Sequence, residues 1–111
     1  IVQVEIQPQS VGILSEDLLT SFSLNGNYPN PFNGETIISY DIPKDGFVNI
    51  SIFNVAGQFI TNLVNDYQLY GEKKVFWDTK DAIGNHVPSG IYYYVVSNGI
   101  YKKARTMTLL K

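Results

Sequence analysis

Apolar and polar side chains alternate along most of this chain with the period of a strand. Between residues 35 and 42, Ile38, Tyr40 and Ile42 fall on one face, and Pro43-Lys44-Asp45-Gly46 then reads as a turn in which Gly46 can take positive φ. Residues 47–55 place Val48, Ile50 and Ile52 on one face and Asn49 and Ser51 on the other. Ala56-Gly57 predicts a reversal into a run over 58–64, with Phe59, Thr61 and Leu63 on a shared face and Asn65-Asp66 as its end. Gly71 opens a run over 72–78 in which Val75 and Trp77 point the same way, which makes Trp77 the natural centre of a core. Residues 91–96 and 101–110 form the last two runs. Asn98-Gly99 between them predicts a tight turn with two positive φ values.

Upstream the pattern is weaker. I-V-Q-V-E-I at residues 1–6 has strand alternation, which Gln7-Pro8-Gln9-Ser10 and Gly12 interrupt. Residues 13–23 suit either a helical turn capped by Ser15 or a linker, and the linker is the reading adopted. The chain therefore divides into residues 1–23, a linker or remnant of a preceding domain, and residues 24–111, one domain. Short strand runs separated by turn residues at a spacing of about ten argue for an all-β antiparallel sandwich, sheet on sheet.

Composition agrees. The 111 residues include eight Tyr and six Phe, side chains that suit pleated, half-buried surfaces, and 44% hydrophobic content is enough for one packed core. A net charge of -2 offers no attraction for nucleic acid. With no Cys there is no disulfide framework, thiolate nucleophile or Cys-based zinc site, so stability must come from packing. No apolar run approaches the roughly 20 residues that span a bilayer, and no signal-peptide pattern opens the chain. The expected reading is the tail of a longer polypeptide, monomeric, whose targeting signal lies upstream.

Catalytic groups are not expected. The lone His86 sits in a turn-rich stretch with no nucleophile motif and reads as a solvated loop residue. Asp78, Asp81 and Asn85 supply oxygen ligands near Gly84, but their spacing is not that of an EF-hand loop, and Asx turns that rigidify the stretch are the preferred reading. Gly57, Gly71, Gly84, Gly90 and Gly99 each stand singly between runs and make no phosphate loop; no cofactor is expected. Lys102, Lys103 and Arg105 lie on the terminal run, where lysines protect an edge strand from unwanted pairing.

Tyr28-Pro29-Asn30-Pro31-Phe32 is the least ordinary stretch. Two prolines stiffen it and exclude helix, so that it can lay Tyr28 and Phe32 against one end of a sandwich whose first strand starts at Thr36. N-Y-P-N-P-F-N at 27–33 followed by T-I-I-S-Y-D-I-P from Thr36 resembles the opening of type A sorting domains of the type IX secretion system. The resemblance continues in order with I-F-N-V-A-G from Ile52, F-W-D-T-K-D-A-I-G-N from Phe76, S-G-I-Y-Y-Y from Ser89 and R-T-M-T-L-L-K from Arg105.

That resemblance implies a seven-stranded immunoglobulin-like module at the C-terminus of a cargo protein. Such a module directs its cargo from the periplasm through an outer-membrane translocon to the cell surface or beyond, and a sortase-like peptidase commonly removes it. Carried over by position, translocon recognition falls to Ser89, Gly90, Tyr92, Lys102, Lys103, Arg105, Leu109, Leu110 and Lys111, with Tyr28, Pro29, Asn30, Pro31, Phe32, Gly57, Trp77 and Gly84 as structural markers. Processing is expected within residues 14–27. Thr106 departs from related tails, which often carry a basic residue there. The strand text also resembles the immunoglobulin-like part of flagellar hook-capping proteins. A rival of another class is an accessory module that binds carbohydrate or acts as a spacer, with Tyr93 and Tyr101 as its exposed aromatics, although strand packing explains both.

Overall fold

The computed structural model describes residues 22–111. The expected strand at 1–6 and the Ser15-capped turn lie outside the described residues. Seven strands follow in chain order: β1 (Ser23–Tyr28), β2 (Thr36–Ile42), β3 (Gly46–Asn54), β4 (Phe59–Gln68), β5 (Gly71–Trp77), β6 (Gly90–Asn98) and β7 (Tyr101–Leu109). They build two antiparallel sheets, one ordered β1-β2-β5 and the other β4-β3-β6-β7. The all-β sandwich expected from the alternation is thus the architecture observed.

The core lies where the period-two faces meet. Ile38, Tyr40 and Ile42 of β2 face Val48, Ile50 and Ile52 of β3, Tyr92, Tyr94 and Val96 of β6, and Met107 and Leu109 of β7, all buried. Trp77 is 1% exposed and sits between Phe32 and Tyr92, with ring centroids at 5.9 and 5.5 Å in edge-to-face contact. Its indole N–H donates to the Lys80 carbonyl at 3.0 Å, so burial leaves no orphaned donor.

Several local readings are corrected. The first strand is β1 and not the run from Thr36; Phe22 is buried and Ser23 opens β1, so both belong to the sandwich. Tyr28 does not pack against its end: it is 82% exposed, and only Phe32 turns inward. β4 does not end at Val64 but runs on to Gln68, because an edge strand carries polar side chains on its solvent face without losing its ladder to β3. Irregularities between Ile50 and Ser51 and between Ile52 and Phe53 shift the pairing with β4. Each shift resets the parity, so Val64 is the buried residue of β4, Ile60 and Leu63 pack against the core, and Phe59 turns out to meet Phe53 edge-on at 6.0 Å.

Turn chemistry differs in detail as well. Asn98 pairs with Tyr101, so the β6–β7 turn is Gly99-Ile100, and only Gly99 has positive φ (66°), the arrangement of a turn that needs Gly at its first central position. Gly46 is not among the positive-φ residues and opens β3 directly. Between β3 and β4, the Asn54 side-chain oxygen accepts from Ala56 and Gln58 amides, and Gly57 takes φ 85° to complete the reversal.

Candidate functional site

The C-terminal strand is where the motif-bearing residues converge. β7 closes one edge of the four-stranded sheet and pairs with β6 from Gly90–Leu109 through Asn98–Tyr101 without a register shift. Beyond that ladder, the Tyr28-to-Asn33 segment grips its end. Phe32 N–H donates to the Thr108 carbonyl at 2.9 Å, and Leu110 N–H donates to the Phe32 carbonyl at 2.8 Å, a short parallel pairing. The Asn30 side chain accepts from Thr108 N–H at 3.0 Å, and the Asn33 amide donates to the Leu110 carbonyl at 3.1 Å.

The segment itself is knit to β2. Thr36, fully buried, donates its hydroxyl to the Pro29 carbonyl at 2.8 Å and accepts from the Asn27 amide at 3.1 Å. Both X–Pro peptides, Tyr28–Pro29 and Asn30–Pro31, are cis. The two prolines have no N–H to satisfy, so the segment needs few partners of its own and turns Asn30, Phe32 and Asn33 towards β7. The alternation carried no sign of this clamp, because its contacts span the whole length of the domain.

The candidate recognition residues separate into groups. Ser89, Leu110 and Lys111 meet at the clamped end, where Lys111 N–H donates to the Ser89 hydroxyl at 2.9 Å. Gly90 pairs there with Leu109. Tyr92 and Leu109 are buried, and Tyr92 donates its hydroxyl to the Pro88 carbonyl at 2.6 Å, so these two shape the surface from beneath. Lys102, Lys103 and Arg105 stand further up β7 with exposed side chains, about 16–27 Å from Leu110 at strand rise. Lys103 Nζ lies 5.6 Å from the ring centre of Phe22, a cation over an aromatic face.

A polar cleft of about 580 Å³ opens between the edges of β1 and β7, lined by Gly26, Asn27, Asn30, Tyr94, Ala104, Arg105 and Thr106 among others. Gly26, at φ 97° beside a register shift in β1, has no Cβ to meet the Arg105 guanidinium, which would lie 3.1 Å from it. The Tyr94 hydroxyl is buried beside this arginine without a hydrogen-bond partner. Burial pushes its pKa above the usual tyrosine value, and the adjacent Arg105 guanidinium, by its charge and as a nearby donor to the phenol oxygen, offsets part of that rise.

The β5–β6 connection carries the oxygen-rich stretch. Asp81 accepts the amides of Ile83 and Asn85 at 3.1 and 2.9 Å, and Asp78 accepts that of Lys80 at 3.2 Å, the Asx turns preferred from the sequence. Among the described residues no group of three or more acidic or imidazole side chains stands close enough to hold a metal ion. His86 is exposed, and its Nδ1 is 3.1 Å from the hydroxyl of buried Thr79. Thr79, at φ 67°, was not singled out by sequence; a β-branched residue in the left-handed region gives no signal in a hydrophobicity pattern. Tyr101 packs against the core, so the terminal hairpin does not build an exposed aromatic row from it.

Among curated proteins none matches the chain. PorU from Porphyromonas gingivalis, in its dimeric latent form, superposes with a TM-score of 0.65 at 19% identity, over 80% of this chain and 9% of that one. PorZ, a surface component of the type-IX secretion system of the same organism, gives 0.56 at 20% identity, over 87% and 12%. FlgD from Xanthomonas campestris, a hook-capping protein of flagellar assembly, gives 0.56 at 21% identity, over 86% and 72%. These likenesses share the fold, and the chain spans only about a tenth of the PorU and PorZ chains. The secretion system C-terminal sorting domain model matches residues 27–109, from Asn27 of the clamp to the last residue of β7, and the chain belongs to that family: it is a type IX C-terminal sorting signal.

Proposed function

We propose that this module carries an attached cargo across the outer membrane by presenting the clamped end of β7 to the type IX translocon. The family is one of non-catalytic sorting tails, and its signal leads to the cell surface or the extracellular space. The observation that carries the docking reading is the bonding of Asn30, Phe32 and Asn33 to Thr108 and Leu110, with Ser89 holding Lys111. It fixes the last residues of the domain in one conformation, so that a partner docking there has less chain to order. Leu110, 56% exposed, and Lys111 are the residues offered, with Lys102, Lys103 and Arg105 as a second, cationic area.

In this reading the cargo is an upstream domain of the same polypeptide, reaching the periplasm before the module engages the translocon, and a sortase-like peptidase separates the two. β1 occupies part of the stretch in which cleavage was expected, and an extended strand in a sheet does not fit a protease cleft. Cleavage therefore belongs to residues 14–21, outside the described residues. The test is export of a reporter fused upstream of residues 14–111, in a bacterium with a working type IX system and in a translocon-deficient strain. Export that requires both module and translocon is expected; a folded fusion retained in the periplasm of the competent strain overturns the reading.

A further inference from the structure

The edge of β7 is only partly used. Thr108 directs both its N–H and its C=O away from β6, to Asn30 and Phe32. Because β6 and β7 pair without a register shift, the same outward direction recurs at every second residue, at Thr106, Ala104 and Lys102. These three are exposed; Ala104 and Thr106 border the polar cleft between β7 and β1, and Lys102 lies beyond it along the same edge. The edge accepts an extended partner, as its own Phe32 demonstrates at the next rung.

The cleft has a charge preference. Arg105 lies in it, seated against the side-chain-free Gly26, and among the described residues no carboxylate pairs with it. Lys102 and Lys103 add positive charge on the same strand. Asn30, whose oxygen is taken by Thr108, keeps its amide N–H groups as donors at the rim. The cleft thus offers a guanidinium and amide donors to an incoming carboxylate.

We propose that the open edge of β7 at Lys102, Ala104 and Thr106 takes up an extended acidic segment of a partner protein by strand addition, with one of its carboxylates received by Arg105 in the cleft. Main-chain bonds to the edge supply attachment, and the arginine supplies selection for acidic side chains. The proposal rests on the docking reading above and names the chemistry of the partner for its cationic area.

The probe is a capped heptapeptide alternating threonine and glutamate, with a counterpart in which every glutamate is glutamine, titrated into the full 111-residue chain. The glutamate peptide is expected to bind at least about tenfold more tightly and to slow amide exchange at Lys102, Ala104 and Thr106. Arg105→Gln should bring the two peptides to equal affinity. Ala104→Pro removes an outward N–H without touching the ladder to β6, and should abolish binding of both. Equal binding of the two peptides by the unaltered protein, protection confined to another edge, or undiminished binding by Arg105→Gln overturns the proposal. The last of these keeps the test open should the proline variant not fold. Peptide binding without export of the reporter fusion would sink the sorting role and leave this site standing; export undiminished by Arg105→Gln, with no peptide binding, would sink the site alone.

Discussion

Three buried tyrosines in this sandwich meet the same problem with different success. Tyr92 finds the Pro88 carbonyl and Tyr40 the Gln68 side chain at 2.7 Å, whereas the Tyr94 hydroxyl has no partner. The Tyr94 hydroxyl has only the poorly aligned Arg105 guanidinium beside it, so Tyr94→Phe should cost clearly less in urea unfolding than Tyr92→Phe, which should lower stability by about 1 kcal/mol. The pKa values of all three phenols are raised, each chiefly by burial; for Tyr40 the Gln68 hydrogen bond opposes the rise and Asp66 adds to it. A phenol that holds its proton more tightly folded than unfolded contributes stability that is intact below about pH 10 and is lost as the pH climbs through the raised folded value. The urea midpoint should therefore fall above pH 10. Tyr94→Phe should flatten that fall, and a profile equally steep in the variant would remove Tyr94 from the account.

At the scale of elements, β7 is held in place by groups on both sides, β6 along its length and the Asn30-to-Asn33 segment at its end. Asn30→Ala removes the acceptor of the Thr108 amide, a loss of about 1 kcal/mol, or about fivefold in local opening. Amide exchange should quicken at Thr108 and Leu110 while the amides of β2 and β3 keep their protection. How far such features can be read from sequence depends on their range. β2 and β3 were legible because each has one buried face and regular alternation, Ile38-Tyr40-Ile42 and Val48-Ile50-Ile52. β4 was misread because its pairing shifts inverted the parity that alternation relies on. β1 was missed because L-N-G-N offers one apolar side chain and a Gly, and it is held by its pairing with β2 and not by its own pattern. The stiffness of Tyr28-to-Phe32 followed from its prolines, but its grip on residues near the C-terminus joins positions that no local pattern relates.

Over the whole molecule, the two sheets and the clamp share a single hub. Trp77 touches Phe32 of the clamped segment and Tyr92 of the central strand β6, and belongs itself to the other sheet. Trp77→Ala should cost about 3–5 kcal/mol, a large part of the 5–15 kcal/mol available to a small domain. Because Phe32 loses its neighbour in the same step, the clamp on β7 should loosen along with the core. This separates two ways in which a sorting tail can be read, as a folded surface or as a string of terminal residues. If the translocon reads a folded surface, Trp77→Ala should reduce reporter export in proportion to the unfolded fraction, although residues 102–111 are unchanged in sequence. Leu110→Asp should reduce export with no change in thermal midpoint, since that side chain is exposed and lies beyond the ladder. Export of the Trp77→Ala fusion at the unaltered level, with circular dichroism showing the module unfolded, would mean that the terminal residues act as a linear signal and that the clamp serves stability alone.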